Sequence, residues 1–245
     1  VMHLIGGIGV VVIALALGVF GTGSAAASLY HAEARMGQVM PSIKQTSQFI
    51  LKLAAIIVVV GTLVCLVPLL AVGVEPLRAA INGFLVTAAA FSTGGMTSAS
   101  SGIVAFHCWP IEVIALILAA LGCINFVLYG DIWKGVFRNF FKDIEIRTIF
   151  VWVTLLAALM AFALTGSYFT TTGAVLRRGL FEVLSGSFNL GFSTLQGGQI
   201  LFAMGSGALF VIILSMTICG SSSSASGGIK ALRIGIIARS VVQAV

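Results

Sequence analysis

Ile81-Asn82-Gly83-Phe84-Leu85-Val86-Thr87-Ala88-Ala89-Ala90-Phe91 runs directly into Ser92-Thr93-Gly94-Gly95-Met96-Thr97-Ser98-Ala99-Ser100-Ser101. About ten apolar residues are too few to cross a hydrocarbon core, which takes about 20 in a helix. The stretch lies between two apolar runs that are long enough, 49–72 and 103–128. If the first run goes outward and the second returns, the segment between them dips into the membrane from the outer face. It reads as a re-entrant half-helix followed by a glycine-centred strand of small and hydroxylated residues. The plainer alternative is a Gly/Ser-rich outer loop after an interfacial helix.

The layout returns about 96 residues later. After the run 149–165 and a connection carrying Arg177 and Arg178 comes the short apolar segment Gly179–Ser187, then Phe188-Asn189-Leu190-Gly191-Phe192-Ser193-Thr194. Aligned on Gly95 and Gly191, both tails read glycine, large apolar residue, hydroxyl. Two copies in register weigh against a chance loop, because internal repetition marks a structural unit. Extended backbone at membrane depth is tolerated only where protein covers it or where it lines a water-filled cavity. A glycine-centred strand there can turn its carbonyl oxygens toward an axis, and rings of carbonyls replace the hydration shell of a monovalent cation. The half-helix before each strand would aim its partially negative C-terminal end at the same place. Phe169-Thr170-Thr171-Thr172-Gly173-Ala174 resembles a further strand. It follows a full-length run and precedes two arginines, so it is assigned to the outer connection.

Composition supports lipid as the solvent. Of 245 residues, 59% are hydrophobic and 8% charged, where a soluble domain carries roughly a quarter charged. Residues 4–20 and 200–218 are further apolar runs, and 229–245 is one interrupted by basic residues. The net charge of +6 does not point to nucleic acid, because the thirteen basic residues are segregated. Arg35, Lys44 and Lys52, then Lys134, Arg138, Lys142 and Arg147, then Lys230, Arg233 and Arg239 fall in alternate connections. Basic residues collect on the cytoplasmic side, which places these ten inside and Arg78, Arg177 and Arg178 outside. Cys65, Cys108, Cys123 and Cys219 lie in or beside apolar runs without metal-ligand spacing, as small hydrophobes do. Val1 opens within a few residues of an apolar run with no basic leader before it, and Val245 falls inside another. The chain therefore reads as a portion of a longer membrane protein, without a signal peptide.

A third feature is Gly220-Ser221-Ser222-Ser223-Ser224-Ala225-Ser226-Gly227-Gly228, followed by Ile229-Lys230-Ala231-Leu232-Arg233. Glycine and serine break helices, serine by offering the backbone competing hydrogen bonds. A flexible intramembrane loop beneath the two strands would stand where a gate belongs, with Lys230 and Arg233 on one helix face at the inner mouth. The alternative is a surface linker with ordinary basic anchors.

These residues together resemble the Trk/Ktr/HKT superfamily of potassium transporters, TrkH type. Leu4-Ile5-Gly6-Gly7-Ile8-Gly9-Val10-Val11 is similar to the signature after the family's first pore strand. Gly122-Cys123-Ile124-Asn125-Phe126-Val127-Leu128 resembles the helix after its second, and Asp143-Ile144-Glu145-Ile146-Arg147 the cytoplasmic stretch before its third unit. Residues 219–230 are similar to its gating loop, with four serines in a row where the family alternates glycine, serine and threonine. The resemblance implies an all-α polytopic membrane protein made of potassium-channel-type units: helix, re-entrant pore helix, filter strand, helix. Residues 1–48 would be the second helix of a first unit with a cytoplasmic loop, 49–148 the second unit, and 149–245 the third unit with its broken gating helix. The filter would comprise Thr93, Gly94, Gly95 and Met96 with Asn189, Leu190, Gly191 and Phe192. It would bind K+ through backbone carbonyls alone, chiefly those of Thr93, Gly94, Asn189 and Leu190. The gate would comprise Gly220, Ser221, Ser222, Ser223, Ser224, Gly227, Gly228 and Lys230. Also implied are the inner (plasma) membrane, a homodimer, a cytoplasmic nucleotide-binding regulatory ring, no cofactor beyond the transported ion and no enzyme activity.

Three rival functions are weaker. A secondary transporter would show inverted repeats and polar substrate ligands inside spans, whereas this repeat is parallel and its spans hold almost no acids. Glu112 follows Pro110 at a helix start and suits an interface. An intramembrane serine hydrolase using Ser221–Ser224 would need a base within reach, and His3, His31 and His107 lie near chain or span ends. A non-conducting structural subunit is the remaining alternative.

Overall fold

The structure, a computed structural model, describes residues 2–17, 42–99, 101–164, 172–195 and 205–244. Two short helices open it, α1 (Met2–Ile8) and α2 (Val10–Leu17), separated at Gly9. The next helix, α3 (Ile43–Ala71), has 29 residues, about 43 Å at 1.5 Å per residue. That exceeds the hydrocarbon thickness of about 30 Å. Its outward stripe of Ile56, Val60, Leu63, Val67 and Leu70 is exposed and wholly apolar, the face a helix turns to lipid. Pro76, pre-set in φ for a first helical turn, starts α4 (Pro76–Phe91).

A 3-10 turn (Gly102–Phe106) leads into α5 (Trp109–Cys123). The run 103–128 is therefore not one helix. The chain bends by 94° between α5 and α6 (Phe126–Trp133). Ile124 and Asn125 are extended, and the Asn125 side chain caps α6 by accepting from the Val127 N–H. After α7 (Phe137–Lys142) comes α8 (Ile144–Leu164), 21 residues with Val151, Leu155, Leu159 and Phe162 exposed along one face.

Helix α9 (Thr172–Ser187) is the second half-helix. Both half-helices are longer than expected, 16 residues each. Arg177 and Arg178 therefore lie inside α9 instead of in a connection before it. Thr172–Ala174 is the opening turn of that helix, not a strand or a connecting loop; Phe169–Thr171 lie outside the described residues. Helix α10 (Gly205–Ser215) is followed by β1 (Ile218–Cys219), which pairs in parallel with β2 (Ile229–Lys230), and then by α11 (Ala231–Ala244). Lys230 is thus a strand residue, and it does not share a helix with Arg233. Among the described residues two helices, α3 and α8, are long and apolar enough to cross a membrane, or three if α5 and α6 count as one bent span.

Each half-helix is clasped by its neighbours in sequence: α4 lies against α3 and α5, and α9 lies against α8 and α10. Leu69, Val86, Ala90, Ile111 and Leu118 form one core that also takes in Phe181, Leu190 and Phe192, so the two copies share buried surface. A second core joins Val12, Leu15 and Ile50 to Phe91 and Phe126. Gly122 sets the spacing between α5 and α4, since a Cβ there would stand 2.2 Å from the Phe91 carbonyl oxygen.

Candidate functional site

The two half-helices end in the same turn, bond for bond. In the earlier copy the Ser92, Thr93 and Gly94 N–H groups donate to the carbonyls of Ala88, Ala90 and Ala89. In the later copy Phe188, Asn189 and Leu190 donate to Leu184, Gly186 and Ser185. This crossed pair of bonds is the Schellman closure of a helix C-terminus, which requires a left-handed residue just past the end. Thr93 (φ 54°) and Asn189 (φ 50°) supply it, followed by Gly95 (φ 63°) and Gly191 (φ 74°). The segments read as extended strands thus begin with a left-handed corner that turns the chain away from the helix end.

The corners bring the two glycines together. A Cβ on Gly95 would lie 2.7 Å from Gly191 Cα and 2.8 Å from the Leu190 carbonyl oxygen, and a Cβ on Gly191 3.1 Å from Gly95 Cα. Around this contact Leu190 and Phe192 are buried, Thr93, Gly94 and Asn189 are half-buried, and Met96 is exposed. His3 reaches the same place: its ring lies where a Gly94 side chain would go, Cγ 2.8 Å from that Cβ position.

The loop 220–228 packs under the junction. Its serines 221, 223, 224 and 226 are buried, which rules out a linker on the surface. Two of its anchors come from the break between α5 and α6. A helix end leaves carbonyls without partners, and here Cys123 O accepts from the Ser221 N–H (2.9 Å) and Gly122 O from the Ala225 N–H (3.0 Å). In return the Phe126 N–H donates to Ser223 O (2.9 Å). The Thr93 hydroxyl donates to Ala225 O (3.2 Å), and Cys219 Sγ lies 3.2 Å from Asn189 Oδ1, so both corners touch the loop. Lys230 Nζ donates to Ser226 O across its base. The Ser187, Ser221 and Ser223 hydroxyls are buried and meet no hydrogen-bond partner among the described residues.

Two buried acids belong to the site and were not singled out from the sequence. Glu182, 5% exposed on α9, accepts from the Ser193 hydroxyl (2.9 Å), the Thr194 N–H (2.8 Å) and the Thr194 hydroxyl (3.0 Å). It braces the chain just beyond Gly191. Glu145, 2% exposed at the start of α8, accepts from Asn125 Nδ2 (3.1 Å) and from the Ser222 N–H (2.8 Å). An acid inside a membrane segment is by itself a pointer to function, and for Glu182 that signal was present within Gly179–Ser187. At the far end of α9, Arg177 forms a two-point ion pair with Glu112 of α5 (2.7 and 3.2 Å). No cluster of three or more His, Cys, Asp or Glu that could hold a metal occurs among the described residues.

The chain as a whole is similar to known proteins. The family model for TrkH, described as a cation transport protein, matches residues 1–245. The Trk system potassium uptake protein TrkH of Halomonas elongata is 28% identical over 96% of this chain and 47% of its own length. An uncharacterized cation transporter of Methanocaldococcus jannaschii is 25% identical over 97% of the chain and 45% of its own length. The crystal structure of the potassium transporter TrkH from Vibrio parahaemolyticus superposes with a TM-score of 0.71 at 22% identity, covering 98% of this chain and 48% of that one. The chain thus spans about half the length of the relatives it matches, and the last likeness shows the fold.

Proposed function

This chain belongs to the TrkH family of cation transport proteins, and on that premise we propose that it supplies two of the filter strands and the gate of a potassium uptake pathway. Residues 49–148 and 149–245 act as the second and third pore units, and 1–48 as the end of a first. The observation that carries the reading is the meeting of two identically closed half-helices at Gly95 and Gly191. Potassium exchanges its water for the carbonyls of Thr93, Gly94, Asn189 and Leu190, lined up by the left-handed corners, under the negative ends of α4 and α9. Movement is passive, down the electrochemical gradient, and no bond is made or broken. The loop 220–228 closes the path from below, and its unpartnered hydroxyls at Ser221 and Ser223 suit a passage that water or a cation enters. The basic connections face the cytoplasm of a plasma-membrane protein, where a homodimer binds a nucleotide-responsive regulatory ring.

Rubidium uptake into proteoliposomes tests this. The chain is grafted in place of the matching half of the Vibrio transporter, and Gly191→Ser is compared with the unaltered graft. Uptake that Gly191→Ser abolishes supports the filter. A folded, inserted graft that takes up no rubidium with the regulator supplied overturns it in favour of a non-conducting subunit.

A further inference from the structure

We propose that Glu145 is the positioning residue that latches the intramembrane loop beneath the filter and ties it to the basic connection between α6 and α8. The inference deepens the reading of 220–228 as a gate and rests on it. A carboxylate 2% exposed is expensive to bury unless its oxygens are occupied, and both are. Oε1 accepts from the Ser222 N–H, the loop's own backbone, while Oε2 accepts from Asn125 Nδ2 at the helix break. One side chain therefore spans the mobile candidate and its fixed seat. Hydrogen bonds to an ionised group are roughly twice as strong as neutral ones, so this anchor outweighs either backbone bond to Gly122 or Cys123 taken singly.

The seat of Glu145 is itself fixed from the basic side. Asp143 Oδ1 accepts from the Glu145 N–H (2.8 Å) and the Ile146 N–H (3.1 Å). The Asp143 N–H donates to Asn139 O, Asn139 Nδ2 to Asp131 Oδ2, and Arg147 Nε to Phe141 O. A displacement of the strap 131–147 thus moves the carboxylate and withdraws it from Ser222. The strap carries the exposed side chains Trp133, Phe137 and Phe141 together with Lys134, Arg138 and Lys142, groups on which a regulator can pull.

The geometry allows a charge swap. In Glu145→Gln the new amide meets the Asn125 amide donor to donor, and if Asn125 turns over to accept, α6 loses its cap at Val127. Asn125→Asp keeps the cap but sets two carboxylates face to face. In the double variant Asn125→Asp/Glu145→Gln the pattern of donors and acceptors is restored with the charge moved to position 125: the introduced glutamine accepts from the Ser222 N–H and donates to the introduced aspartate, which still caps α6. Hydrogen–deuterium exchange is read by mass spectrometry on the grafted transporter in nanodiscs, with the α3 peptide as a folding control. Both single variants are expected to speed exchange across 218–230 by about tenfold or more, with the double variant near the unaltered protein. Rubidium uptake should rise in the singles and fall back in the double. Equal loop exchange in all four proteins, or a double variant no slower than the singles, overturns the latch. If exchange follows the swap and uptake does not, the latch stands and the gate reading fails. Should a single variant also loosen α3, the comparison of the double with the unaltered protein decides.

Discussion

The corners at Thr93 and Asn189 have one backbone and two chemistries. Behind the earlier corner the helix turns Val86, Thr87, Ala88, Ala89, Ala90 and Phe91 inward, all buried; Thr87, the one polar member, donates to Cys65 Sγ, and the Phe91 carbonyl lies flush against Gly122. Behind the later corner the equivalent of Val86 is Glu182, and the equivalents of Ala89 and Phe91 are Ser185 and Ser187. Ser185 donates to Phe192 O, and Glu182 gathers three donors from Ser193 and Thr194. Apolar volume does most of the positioning in one copy, and directed hydrogen bonds from a buried acid do most of it in the other. A backbone turn as tightly specified as a Schellman closure can be reached by either route, but the two routes fail to different substitutions.

The sharpest break comes where the copies touch. Gly95→Ala combines left-handed strain of about 1–2 kcal/mol with a backbone collision at 2.7 Å, and should cut rubidium uptake by tenfold or more. Gly191→Ala, whose nearest contact is 3.1 Å, should cut it less. Equal losses would show that the glycines serve only as conformational hinges. Next, Glu182→Ala strands the half-buried Thr194 N–H and hydroxyl, while the Ser193 hydroxyl keeps Leu195 O as an acceptor, at a cost of about 3 kcal/mol. Val86→Ala removes apolar volume for about 2 kcal/mol. Thermal unfolding in detergent should rank them in that order, and Val86→Ala alone should be repaired by a bulkier apolar residue.

Exchanging the corner residues sharpens the contrast further. A β-branched residue is poorly suited to the left-handed region, which asparagine tolerates. Asn189→Thr should destabilise by about 1 kcal/mol, and in Thr93→Asn the strain relieved is set against the lost hydroxyl bond to Ala225 O, for a net cost of about 0.5 kcal/mol. A comparably small effect belongs to Arg177→Gln. Its ion pair with Glu112 bridges the two copies; the arginine side chain is 58% and the glutamate 13% exposed, so the loss should be about 1 kcal/mol and shrink with salt.

The half-helices, their terminal glycines and the Gly/Ser break were legible because each departs from a simple expectation: too short to span, too small for a core, too polar for a helix. The bend at Ile124-Asn125 was hidden inside a continuous apolar run, where hydrophobicity cannot tell a straight helix from a broken one. Its one signal was Asn125, a good N-cap close to the end of that run. The extra turns at the N-termini of α4 and α9 were missed because each carries arginine, and Arg78, Arg177 and Arg178 looked like loop. Glu145 drew notice only as part of a resemblance. Its use depends on meeting Ser222, 77 residues away, a proximity that no local pattern encodes.

The parallel pairing of Ile218 with Ile229 and Cys219 with Lys230 also has a topological consequence. Parallel partners run the same way, so the chain leaves β1, makes a complete circuit through the serines and resumes beside its point of departure without reversing direction. The circuit is an inserted cassette whose two ends are already stapled together. Its length and composition can vary while α10 and α11 keep their direction, so the circuit can change without rebuilding the helices on either side of it.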